Sequence, residues 1–393
     1  MNILVINCGS SSIKFAVLEL AGDCHRTLLS GLLERIGEPR GVLRLTLPEA
    51  AALPSEPVAA ADHREAFAAV FAALGRHLTG VEPAAVGHRV VHGGTAFSRA
   101  ARVDDAVIAA IRQLIPLARL HNPVNLLGIE ICRAAYPHLP QVAVFDTAFH
   151  QTLPPHAYRY AIPAAWYREL GIRRYGFHGT AHQYLAERAQ AHCGRPLNLI
   201  TLHLGNGASA CAIRQGRCVD TSMGFTPLEG LVMGTRSGDL DPAAALFAAG
   251  RMGIEKAETA LLYDSGMQGL CGSNDLRDIL GRAEAGDEAA QLAVEAYCHR
   301  VRKYLGAYYA VLGSVDALVF SGGVGENAVE IRRRVCEGLE GLGIRLDPAA
   351  NAAPAATEVA ELQAAGSPVR VLRIRANEEL AIAFQTARLL ESV

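Results

Sequence analysis

Small residues, hydroxyls and a lysine fall together in Asn7-Cys-Gly-Ser-Ser-Ser-Ile-Lys14. Such a turn lets backbone N–H groups and hydroxyls converge on phosphate oxygens, with lysine as a mobile point charge. A Walker A loop is a different object, G-x-x-x-x-G-K-[ST] running into a helix, whereas an apolar strand pattern follows here. His203-Leu204-Gly205-Asn206-Gly207 repeats the idea with two glycines and an amide. Either segment alone is also an ordinary turn; together, half a chain apart, they suit two jaws on one polyphosphate. Gly322-Gly323-Val324-Gly325-Glu326-Asn327 reads as a third glycine-rich turn, following a strand pattern and running into a helix. It matches G-x-x-G, not the dinucleotide fingerprint, and no acidic ribose partner stands about 20 residues on. A nucleoside cradle and a plain left-handed start of a helix both fit it.

Three further segments set cationic or hydrogen-bonding side chains among glycines: His88-Arg89-Val-Val91-His-Gly-Gly94, Tyr175-Gly-Phe177-His178-Gly-Thr-Ala-His182 and Met233-Gly-Thr-Arg236-Ser-Gly-Asp239. Arg89, at a strand end, suits two-pronged capture of a carboxylate or phosphate, and also a surface ion pair. His178 and His182 have the i, i+4 spacing of zinc ligands. The glutamate of H-E-x-x-H is missing and glycine follows His178, so capping or core hydrogen bonding is expected for His182. Asp146 ends an apolar strand, where open α/β sheets bind ligands, and also reads as a satisfied turn aspartate. Asn377, Glu378 and Glu379 suit a helix N-cap and first turn; their carboxylates also suit Mg²⁺, directly or through water.

The elements that must position these residues read as alternating strands and helices, an α/β fold. Strands are expected at 2–7, 13–20, 85–91, 197–204, through 213, 316–320 and 369–374. Helices are expected at 62–78, 104–115, 122–135, 181–192, 288–312, 328–339 and 378–390. Aligning Gly9 with Gly205 gives an offset of 196, half the chain, so two related halves each open with a β-hairpin. A hinge is expected after Thr147, before the double-proline loop 151–156, and 348–354 reads as a surface connection.

At roughly 150 residues per domain, 393 residues make two or three domains. Half the residues are hydrophobic and 19% are charged, which excludes a disordered polymer or coiled coil. Thirty-seven basic against 39 acidic residues give a net charge of -2, so no global field recruits nucleic acid or an anionic membrane. Lysine occurs only at 14, 256 and 303. Nine cysteines without a C-x-x-C pair argue against disulfides and a zinc knuckle and for reduced, mostly buried thiols. No apolar run approaches the roughly 18 residues of a membrane span, and the start lacks a signal pattern, so a cytoplasmic protein is expected.

Taken together, NCGSSSIK, HRVVHGG, LHNPVN, FDTAFH, YGFHGTAH, HLGNG with TPLEGLVMGTRSGDLDP, and GGVGEN with NEEL resemble the acetate kinase family of the actin and sugar-kinase superfamily, in order from Asn7 to Glu378. The resemblance implies a two-domain actin-like fold with duplicated ββαβ-type cores around an interdomain cleft. The domains would be 1–147 with 380–393, and 148–379. It implies Mg²⁺-dependent phosphoryl transfer from ATP to acetate, with Mn²⁺ as substitute ion, and a homodimer. Asn7 and Glu378 would hold the metal. Lys14, His203 to Gly207, Asp275-Leu276-Arg277 and Gly323 to Asn327 would bind ATP. Arg89 would hold the carboxylate, with Val91, Leu120, Phe177 and Pro227 around the methyl group. His178 and Arg236 would stabilise the phosphoryl group in flight, and Asp146 matches a residue labelled a proton acceptor or donor. A carboxylate nucleophile has no proton to lose near neutral pH, so Asp146 is expected to orient Arg89 or metal waters instead. Ala376 and Arg375 stand where the family commonly has threonine and proline, which leaves Glu378 the weakest metal assignment. Propionate is not separated from acetate by Val91; butyrate kinases differ at the first turn. An actin-like or chaperone-like ATPase would share the glycine hairpins but not the HRVVHGG and YGFHGTAH segments.

Overall fold

The computed structural model describes residues 1–22, 24–47, 53–354 and 356–391. The chain forms two compact units, 1–149 with 377–393, and 150–376.

The first unit is built on an eight-stranded sheet ordered β5-β4-β3-β2-β1-β6-β8-β7. Its strands are β1 (Asn2–Cys8), β2 (Ser12–Ala21), β3 (Cys24–Glu34), β4 (Val42–Thr46), β5 (Glu56–Pro57), β6 (Ala85–Val90), β7 (Ala101–Arg102) and β8 (Gln141–Phe145). β1 and β2 are antiparallel, with Asn7 opposite Lys14; β6 and β8 continue in parallel with β1. The apolar alternation of β1 and β2 buries Leu4, Ile6, Ile13, Phe15 and Val17 with Phe67 and Val70 of the helix His63–His77. That helix starts at Asp62, whose carboxylate accepts from the N–H groups of Arg64 and Glu65. Helix Glu378–Glu391 packs on β1, β2, β6 and β8. Gly87 permits this approach, since a Cβ there would meet Thr386 Oγ1 at 2.5 Å.

The second unit has a six-stranded sheet ordered β11-β10-β9-β12-β14-β13. Its strands are β9 (Asn198–Leu204), β10 (Ala208–Arg214), β11 (Arg217–Thr221), β12 (Ala317–Ser321), β13 (Val359–Glu361) and β14 (Arg370–Ile374). The run β11-β10-β9-β12-β14 repeats the pairing senses of β3-β2-β1-β6-β8: two antiparallel neighbours, then two parallel ones. Helix Gly179–Cys193 packs on β9, β12, β13 and β14, and helix Glu288–Leu312 on β9 and β10.

Several expectations need correction. Gly322–Asn327 is a helix, not a turn, and the expected helix 328–339 is the separate segment Val329–Cys336. The stretch 348–354 lies mostly at the surface as expected, but Pro348–Ala352 within it is a helical turn capped by Asp347, with Asn351 buried. Helix 181–192 begins earlier, at Gly179, because this glycine is the first helical residue and not an interior one. Among the described residues, no helix is long and apolar enough to cross a membrane.

Candidate active site

In the first unit the chemistry gathers on Arg89, near the end of β6. Its Nε donates to both Asp146 oxygens at 3.2 and 3.0 Å, and Nη2 donates to Oδ2 at 2.6 Å. The expected Arg89–Asp146 contact is therefore present, and it is no surface pair: the side chains are 21% and 2% exposed. One edge of the guanidinium is thus occupied. Nη1 points to Asn7 Oδ1 at 3.4 Å and lies 3.8 Å from Glu378 Oε2. Burial opposes the charge on Arg89, but Asp146 and then Glu378 outweigh it and hold its pKa above the ordinary arginine value.

The loop after β6 is fixed by asparagines. Val91 N–H donates to Asn125 Oδ1 (3.0 Å) and Asn125 Nδ2 donates to Cys8 O (2.7 Å). Asn122 exchanges bonds with both backbone groups of His92 (3.1 and 3.0 Å), and Thr147 Oγ1 accepts from Gly93 N–H at 3.0 Å. Asn122 and Asn125 carry this scaffold although only their motif, not their role, stood out in the sequence. The available signal was two asparagines buried in a helix's first turns. Val91 is buried, while Leu120 is 49% exposed. Lys14 Nζ pairs with Glu379 at 2.9 Å, and Asn377 Oδ1 caps its helix by accepting from Leu380 N–H at 3.0 Å.

In the second unit His178 and Arg236 meet over Gly207. A Cβ on Gly207 would lie 2.6 Å from Arg236 Nη2 and 3.5 Å from His178 Cε1, so glycine lets both side chains come close to this backbone. His178 has φ of 57°, a left-handed conformation costing about 1–3 kcal/mol in a non-glycine residue. It sits at the helix start, and its Nδ1 lies 2.9 Å from Ser209 Oγ. Arg236 Nη1 donates to Pro227 O at 2.7 Å. Ser209 also lies 2.8 Å from His182 Nε2, and Thr201 Oγ1 is 2.8 Å from His182 Nδ1. His182 is thus the core hydrogen-bonding residue expected, with both ring nitrogens engaged by hydroxyls. Phe177 is buried and Pro227 half-buried.

A cavity of about 710 Å³ in the same unit is lined by Gly205, Asn206, Asp275, Leu276, Arg277, Gly323, Val324 and Asn327 from the expected nucleotide segments. Tyr297, Met267 and Leu280 add walls that the sequence did not single out. The remaining expected nucleotide residues of this unit do not line it. Leu204 and Gly325 are buried, and Glu326 Oε1 instead accepts from the N–H groups of Gly322 and Ala376 at 3.0 and 2.8 Å. His203 turns its ring edge to His178, centroids 4.9 Å apart.

Three imidazoles are held neutral by burial. His88 and His92 are pushed down to about 4, and His182 goes well below its usual 6.5. Because the unfolded chain takes up these protons first, stability is complete above pH 6.5 and falls as pH drops toward 4. His88 and His92 should each remove up to about 3 kcal/mol across that window. Urea midpoints measured across it should decline, and a flat profile would contradict the assignment.

The sequence profile of the Acetokinase family matches residues 2–384. The chain belongs to this family. It is 50% identical to an acetate kinase of Syntrophobacter fumaroxidans over 398 residues, covering 98% of this chain and 96% of the relative. An acetate kinase of Streptomyces coelicolor is also 50% identical, with 99% and 97% covered. The crystal structure of Porphyromonas gingivalis acetate kinase superposes with a TM-score of 0.92 at 40% identity, covering 99% of both chains. A propionate kinase from Francisella tularensis gives 0.91 at 39% identity, covering 98% of both. The fold is accordingly the mixed α/β fold of the actin-like and sugar-kinase group.

Proposed function

We propose that this chain transfers the γ-phosphoryl group of ATP to acetate, giving acetyl phosphate and ADP, in either direction. The observation that carries the reading is the convergence of His178 and Arg236 on Gly207, next to Gly205 and Asn206 of the cavity wall. A nucleotide in that cavity would present its phosphates to two fixed donors. Phosphoryl transfer spreads negative charge over three equatorial oxygens, and preorganised donors aimed there supply most of the stabilisation.

Arg89 orients the acid. Asp146 holds its Nε and Nη2 edge, leaving the outer edge for the carboxylate. An acetate oxygen forms a bond to the γ-phosphorus as the bond to the β,γ-bridging oxygen breaks, and that electron pair leaves with ADP. No proton moves, so Asp146 acts as a positioning residue. Val91, Leu120, Phe177 and Pro227 would surround the methyl group. Asn7 Oδ1 and Glu378 Oε2, facing one Arg89 nitrogen, form a hard-oxygen pair of the kind Mg²⁺ or Mn²⁺ uses when waters and phosphates complete its shell. When bound there the ion would neutralise phosphate charge. Lys14, held by Glu379, and His203 would add cationic or hydrogen-bonding groups near the phosphates.

Incubation with ATP, Mg²⁺, hydroxylamine and each of acetate, propionate and butyrate tests this directly. Acetyl hydroxamate is the expected main product. The propionate kinase likeness favours propionate as second substrate, since one methylene is worth only about 1–3 kcal/mol in an apolar pocket. No hydroxamate from any acid, with ATP still hydrolysed, would leave an actin-like ATPase.

The enzyme is further proposed to act in the cytoplasm as a homodimer. Leu246, Phe247 and Ile254, 74, 67 and 77% exposed, form an apolar face on the helices Pro242–Met252 and Ile254–Tyr263 that suits a second copy. Leu246→Asp should shift the mass in light scattering from dimer to monomer; an unchanged mass would place the contact elsewhere.

A further inference from the structure

His150, Cys211 and Cys218 are fully buried, and one ligand atom from each lies within 4.8 Å of the others. His150 belongs to the short 3₁₀ segment Phe149–Thr152, Cys211 to β10 and Cys218 to β11. Cys218 faces Ile213, two residues from Cys211, so both thiols project from the same sheet face, and a bulge between Ala212 and Ile213 draws them together. Cys211 Sγ lies 3.4 Å from Cys218 Sγ, and His150 Nδ1 lies 3.2 Å from Cys218 Sγ. A tetrahedral zinc ion with Zn–S of about 2.3 Å and Zn–N of about 2.0 Å separates its ligand atoms by about 3.6–3.8 Å. The two contacts of Cys218 need a few tenths of an ångström of opening, and the His150–Cys211 pair lies within 4.8 Å.

We infer that His150, Cys211 and Cys218 form a buried site for one soft divalent ion of the zinc class. The second ring nitrogen supports it. His150 Nε2 lies 3.0 Å from the carbonyl oxygen of Phe177, which can only accept, so this nitrogen carries the proton and Nδ1 presents its lone pair to the sulfurs. A metal-binding histidine is held this way, its outer N–H fixed by a carbonyl. Charge supports it too. Two thiolates, a neutral imidazole and a divalent ion sum to zero, the arrangement a dry interior tolerates best. As the two sulfur–metal bonds form, the two thiol protons leave to solvent.

The complete burial of the site implies capture during folding followed by slow exchange. The test uses the full chain without a histidine tag, produced in Zn²⁺-supplemented medium or refolded with Zn²⁺, then dialysed against a chelator. About one zinc per chain should remain by elemental analysis. Refolding with Co²⁺ should give the near-ultraviolet band of thiolate-to-cobalt charge transfer. Cys211→Ser and Cys218→Ser should each lose the metal, and Cys193→Ser should keep it. Zinc-free wild type after both preparations, a cobalt spectrum without the thiolate band, or full retention in both serine variants would each overturn the site.

Discussion

Arg89→Ala is expected to lower kcat/KM for acetate by about 10²- to 10³-fold, the usual loss when one preorganised charge donor is removed. It should also lower stability by about 3–5 kcal/mol, because Asp146, 2% exposed, would lose the guanidinium that both of its oxygens accept from. Arg89→Lys separates charge from geometry. The guanidinium serves Asp146 with Nε and Nη2 while Nη1 remains on the Asn7 and Glu378 side; one ammonium cannot span both. Lysine should therefore recover part of the stability and little of the activity. Asp146→Asn completes the set: if the carboxylate only orients Arg89, the acetate KM rises and the pH profile of kcat keeps its shape. A displaced limb in that profile would mean that Asp146 moves a proton. Near-normal kinetics for Arg89→Lys, measured with the hydroxamate assay, would mean that charge alone, not the guanidinium fork, serves the acid; near-normal kinetics for Arg89→Ala would remove Arg89 from acid binding altogether.

What could be read beforehand divides by how far apart the cooperating residues lie. Helix Asn122–Ala135 and helix Glu288–Leu312 stand where their periodicity and caps, Pro123 at the first turn and Asp287 at the N-cap, put them. The hairpin that sets Asn7 opposite Lys14 is equally local. Long-range choices were not legible. Lys14 is engaged by Glu379, 365 residues on, and Ser209 links His178 to His182 from another element. Cysteine spacing carries no zinc-knuckle pattern, and only β-sheet register and a 68-residue excursion bring His150 beside Cys218. Glycine content made Gly322–Asn327 read as a turn, since glycine disfavours helix by roughly 1 kcal/mol per residue. Tertiary bonds override that propensity. Gly322 takes φ of +77° where a Cβ would meet Leu204 O at 2.6 Å, and a buried arginine holds the helix's far end.

That arginine, Arg332, predicts a large loss of stability. Its guanidinium is fully buried and donates to four amide oxygens: Asn351 Oδ1 and O at 2.6 and 2.8 Å, Gly325 O at 2.9 Å and Glu326 O at 2.8 Å. Burial, with Arg373 second, lowers its pKa from the ordinary arginine value to about 10, so keeping the charge folded costs about 3 kcal/mol. Arg332→Met relieves that cost but leaves four acceptors unpaired at about 1–3 kcal/mol each. The second effect is the larger, and a net loss of several kcal/mol is expected in urea unfolding. Because Gly323, Val324 and Asn327 of the braced helix line the cavity, the ATP KM should rise more than the acetate KM. Arg332→Lys retains a charge but cannot reach the four oxygens from one nitrogen, so it should be no better than methionine. Stability restored by lysine would mean that charge, not the fork of hydrogen bonds, secures this helix. Equal rises in both KM values would mean that the helix does not shape the nucleotide side of the site.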